Sequence, residues 1–255
     1  MKEKKNIFII LLFCVAIGVI YAIYNAFPQK QARILVIGVA VCVVIVWMIV
    51  KMINMVRLNK IVSEPVHFLY EDKRPDLYVE EMKKVLEKIR SRQQKDLIRI
   101  NIAAGQVYNG DFEEALATID QVALPGQPVV NQVLAYANQA MAYLCLNRKE
   151  EVLKLVEEQR SLFQKYEHTA SGLTNNIMVT YAIEQYAKGE YNKALEYLDR
   201  LKDKKVSSIL QDVVDYLYCE CYRNLKREVE RAELKRMMLA SNLVPGIRKK
   251  LEHTV

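Results

Sequence analysis

Two apolar runs close to the start of the chain leave little freedom in how it can fold. From Ile7 to Phe27 the sequence reads IFIILLFCVAIGVIYAIYNAF, and from Ile34 to Val50 it reads ILVIGVAVCVVIVWMIV, with no charged residue in either. About 20 such residues at ~1.5 Å each span the ~30 Å hydrocarbon layer of a bilayer. Both runs are therefore expected to be spanning helices, the second extending to Val56 because Lys51 can snorkel to the headgroups. A cleavable signal sequence is the competing explanation of the first run. It needs paired small residues before a break, and Ala26 is preceded two positions earlier by Tyr24.

The short link from Pro28 to Arg33 forces the two helices to run antiparallel, so both chain ends leave on one side. Positive-inside counting selects that side. Lys2, Lys4, Lys5, Lys51, Arg57 and Lys60 flank the outer ends, against Lys30 and Arg33 in the link. Both termini are expected in the cytoplasm, with the bilayer contacted through residues 7–56.

Charge locates the rest. The chain carries a net +7, and residues 1–60 account for all of it, with eight cations against Glu3. Beyond residue 60, 29 cations balance 29 anions, so nothing there would draw the chain onto a polyphosphate, and no nucleic-acid partner is expected. Few glycines and prolines and many helix formers imply an all-α chain. The expected organisation is a transmembrane hairpin over 1–60, a linker over 61–74, a helical domain over 75–244 and a tail over 245–255. The tail holds a short basic helix, Ile247 to Leu251, that either closes the domain or lies loose.

One unit recurs in the helical part. INIAAGQVYNGDFEEALATIDQV and YAIEQYAKGEYNKALEYLDRL share an Ala in one helix, a Gly turn, an aromatic, then Ala and an aliphatic in the next. NQAMAYLCLNRKEEVLKLVEEQ repeats the scheme with Asn147 at the turn, and YLYCECYRNLKREVERAELKRM does so in degenerate form with Asn224. Taking Ala115, Val152, Ala194 and Val229 as equivalent gives intervals of 37, 42 and 35 residues. Phe112, Ala115, Leu116 and Ile119 make one apolar face. Asp111 with Glu114, and Asn147 with Glu150, are positioned as helix caps. Stacked pairs would share a continuous core that no single pair could provide.

These residues resemble the tetratricopeptide repeat family over about Asp96 to Leu239. The chain departs from the family pattern in lacking a Trp near each repeat start and in placing Val152 where a small residue belongs. The resemblance implies an α-solenoid of helix pairs whose first helices line a concave, partner-binding face. Mapped onto this sequence, that face takes Asn101, Tyr108, Asn138, Asn176, Tyr186, Tyr218 and Tyr222. Amides and phenols suit an extended peptide. Each tyrosine has a second reading as core filling.

No catalytic or metal-binding arrangement is recognisable. His67, His168 and His253 are isolated, the cysteines have no chelating spacing, and no phosphate loop or nucleophile elbow occurs. The expectation is a non-enzymatic, cofactor-free adaptor or scaffold that binds another protein. The alternatives are an envelope-assembly factor with its repeats outside the cytoplasm, or a structural membrane protein that self-associates as a homo-oligomer.

Overall fold

The computed structural model describes Gly18, Tyr21, Ala22, residues 29–169 and residues 171–253. Every regular element among them is helical, and the chain divides into two units, residues 1–60 and 61–255.

In the first unit the expected span Ile7–Phe27 lies outside the described residues, apart from Gly18, Tyr21 and Ala22, which are helical. Helix α1, Gln29–Ser63, begins inside the expected link and continues past the second apolar run. Among the described residues one segment, Val36–Tyr70, is long and apolar enough to cross a membrane, by length and composition. From Val41 to Val50 every side chain is exposed, Trp47 among them. The Lys51 ammonium folds back to 4.1 Å from the Trp47 ring centroid, which shields the first charge after the apolar run.

The second unit opens with two helices, α2 (Val66–Tyr70) and α3 (Pro75–Lys88). Four helix pairs follow. They are α4 (Arg92–Asn109) with α5 (Phe112–Ile119), and α6 (Val129–Cys145) with α7 (Lys149–Tyr166). Then come α8 (Ser171–Ala187) with α9 (Tyr191–Asp199), and α10 (Ser208–Asn224) with α11 (Glu228–Ala240). Helix α12, Pro245–His253, ends the described chain. Within each pair the two helices pack together, and α4, α6, α8 and α10 pack on one another in sequence.

A single turn makes every pair. Gly110, Asn147, Gly189 and Lys226 all adopt positive φ, between 57° and 93°. The amide of the following residue reaches the carbonyl five positions back, as in Asp111 to Gln106 and Arg227 to Tyr222, each at 2.9 Å. This is the left-handed helix stop in which two orphan carbonyls are satisfied. Lys73 repeats the left-handed step (φ 51°) between α2 and α3, so the segment expected as a linker over 61–74 contains a short helix, α2, that packs on α3.

The turn also explains why the expected caps do not form. Residues after the left-handed position, such as Asp111 (φ −90°, ψ 61°) and Arg148 (φ −93°, ψ 71°), lack the extended geometry that aims a side-chain oxygen at the helix amides. Asp111 instead accepts from Asn109 at 2.7 Å, and Asn147 is the left-handed residue itself. Ser207, with ψ 155°, does cap, accepting from the Leu210 amide. In the fourth pair the turn residue is Lys226 rather than Asn224, which makes Arg231 and not Val229 the equivalent of Ala115. Val229 accordingly stands 78% exposed, while Ala115, Val152 and Ala194 are buried.

Edge-to-face aromatic contacts join the middle pairs. Phe163 lies between Tyr136 (6.4 Å) and Tyr181 (6.1 Å), tying α7 to both α6 and α8.

Candidate functional site

The residues expected to line a concave face are placed in several different surroundings. Asn101 accepts from the Tyr78 hydroxyl at 3.2 Å and donates to the Leu97 carbonyl, holding α3 against α4. Asn138 is buried, and Asn176 is half-buried with its amide donating to the Gly172 carbonyl. Tyr108 has its phenol enclosed, and burial raises its pKa.

Tyr186 and its neighbours form a polar network. The Tyr186 hydroxyl donates to Glu220 Oε2 at 3.3 Å and accepts from Asn224 Nδ2 at 3.2 Å, while Arg223 donates to the same carboxylate oxygen at 2.5 Å. A cavity of about 220 Å³ adjoins this network, lined also by Tyr216, Cys145 and Lys250. Burial pushes the Cys145 thiol up to about 12, so it stays protonated here.

Tyr218 and Tyr222 are brought together elsewhere, with ring centroids 5.9 Å apart, beside a cavity of about 240 Å³ that also meets Lys202 and Asp215. The Tyr218 hydroxyl donates to Asp199 at 2.6 Å. Lys202, then Tyr218, hold the Asp199 carboxyl below its ordinary range. Arg227 lies over the Tyr222 ring at 4.5 Å. These two tyrosines face the α9 and α11 side of their helix, away from the Tyr186 network.

No sequence motif announces how the unit's two ends are joined. Asp212, in the middle of α10, takes the Lys73 ammonium on both oxygens, at 2.8 and 2.9 Å, and accepts from the Val244 amide at 3.2 Å. One carboxylate thus fixes the loop before α3 and the strand of chain before α12. Gly246 rests on the end of α4 so closely that an added Cβ would lie 2.8 Å from the Gly110 amide nitrogen and 2.9 Å from the Tyr108 and Val107 carbonyl oxygens. Lys250 donates to the Cys145 carbonyl at the end of α6, and Ile247 and Leu251 are buried. The basic tail helix therefore closes the unit rather than lying loose.

Among the described residues no group of three His, Cys, Asp or Glu side chains is disposed to hold a metal ion. No protein-family model, curated protein or solved structure matches the chain.

Proposed function

We propose that this chain is a membrane-anchored adaptor whose helical-repeat unit, of the tetratricopeptide kind, binds another protein at the cytoplasmic face of the bilayer. The observation that carries this reading is the recurrence of one left-handed turn at Gly110, Asn147, Gly189 and Lys226 within successive helix pairs. Arrays of like pairs expose extended surfaces to which several repeats contribute, and such surfaces serve recognition. The tether is read as two spans with both ends on the side that lysine and arginine favour.

The full chain, solubilised in mild detergent, is expected to copurify a defined protein that is retained when both spans are exchanged for unrelated ones. Retention of that protein by residues 1–63 alone would assign the contact to the anchor and overturn the reading. A reporter that works only in the cytoplasm, fused after Val255, is expected to be active. Activity from a reporter that needs export would favour an envelope-assembly role instead.

Self-association is a second reading, favoured by the small side chains of Gly38 and Cys42 one turn apart on α1, with open space around Gly38. Mild oxidation in membranes would then trap a dimer through Cys42, and its absence would remove this reading.

A further inference from the structure

The unequal lengths of two helices open a cavity that the polar network around Tyr186 does not include. Helix α5 has 8 residues and α7 has 18, or about 12 Å against about 27 Å at ~1.5 Å per residue. Part of α7 therefore extends beyond α5, and the chain there turns away through a short 3-10 turn, Leu124–Gly126. The gap is a cavity of about 450 Å³. Tyr136, Gln139 and Tyr143, on one face of α6, make its floor. Asp120 from the end of α5, with Glu151 and Glu158 from α7, are exposed and form its rim.

Gln139 is 8% exposed, and its Oε1 is buried with no hydrogen-bond partner. A buried acceptor left unmade costs about 1–3 kcal/mol, so Gln139 Oε1 favours a ligand that brings a donor. The ionised groups around it are mostly acceptors too, three carboxylates against the Lys154 ammonium, which lies 4.0 Å from Glu158. Burial raises the Tyr143 phenol, and Asp120 and Glu151 raise it further; burial and then Glu158 do the same to Tyr136. Buried acceptor, negative rim and two tyrosines on the floor together match a planar cation that carries only donors. A guanidinium has five N–H donors and no acceptor, and it stacks on aromatic faces.

We infer that this cavity takes the guanidinium of an arginine side chain presented by a partner protein. The identity of the carrier rests on the adaptor reading, whereas the guanidinium rests on the cavity alone.

The test is a titration of arginine amide into the full chain in detergent micelles, following the Gln139 side-chain amide signal by NMR, assigned by its loss in Gln139→Leu. A saturable shift is expected with arginine amide and none with citrulline amide, in which a neutral urea replaces the guanidinium. Asp120→Asn with Glu151→Gln, both at exposed positions, should weaken binding about tenfold, as befits the loss of two charge-assisted contacts. Lys154→Gln should strengthen it, a change of sign that a structural role would not produce. Equal responses to arginine and citrulline amides, or a flat titration, would overturn the site even if a protein copurifies. A guanidinium-dependent shift would stand even if none does.

Discussion

At the scale of single residues, Asp212 does the most for the second unit. Its carboxylate and the Lys73 ammonium retain only 9% and 12% of their side-chain exposure, so removing one partner strands a charge in a poorly solvated place. Asp212→Ala should cost about 3 kcal/mol in urea unfolding, whereas Arg74→Ala, which breaks an exposed pair with Asp76, should leave the midpoint nearly unchanged. Gly246→Ala places a methyl group against three backbone atoms and should cost about 2 kcal/mol or more, with Gly172→Ala, where nothing lies within 4 Å, as the mild control. Burial also raises the thiols of Cys145, Cys219 and Cys221 to about 12, from an ordinary value of 9.0. The folded chain then holds these protons more tightly than the unfolded one. The contribution is fully present below pH 9 and is lost as the pH rises through 12, so unfolding midpoints should fall over that window and fall less in Cys145→Ala. Iodoacetamide at neutral pH should leave all three unmodified until the chain is denatured.

At the scale of elements, the pair turns set the register of everything that packs. Gly189 (φ 77°) has only the Tyr191 hydroxyl, at 4.0 Å, near the site of an added Cβ, so Gly189→Ala tests the backbone conformation almost alone and should cost about 1 kcal/mol. Lys226 holds the same conformation without the freedom of glycine, and Lys226→Gly should stabilise by about the same amount; denaturant midpoints check both. These turns also mark what could be read beforehand. Phe112, Ala115, Leu116 and Ile119, expected to make one apolar face, are all buried, because a glycine turn followed by a periodic apolar face leaves a local trace. Lys226 leaves none, which is why the fourth register was misplaced by two residues. Helix α2 has five residues, too few for a period to show, so its segment was expected to be a linker. Along α8 every residue from 177 to 186 is buried, so no polar face separates a groove tyrosine from a core one. The Gln139 cavity depends on the difference between two helix lengths, and no motif announces that.

At the scale of the whole molecule, the chain combines an apolar helix with a neutral helical unit, and the two call for different solvents. A chain anchored by spanning helices should sediment with membranes, resist extraction by high salt and alkaline carbonate, and be released by detergent. Release by salt alone would mean surface attachment. Lys73 and Asp212 lie 139 residues apart in the chain, yet they form one ion pair, and the closing helix meets both α4 and α10. Open arrays of repeats commonly fray from their termini, each losing one neighbour at a time. Here Lys73 and α12 bridge the first and last helix pairs, so neither end can peel away without releasing the other. Melting should accordingly follow a single cooperative transition, with tail amides as slow to exchange with deuterium as those in the middle of the array.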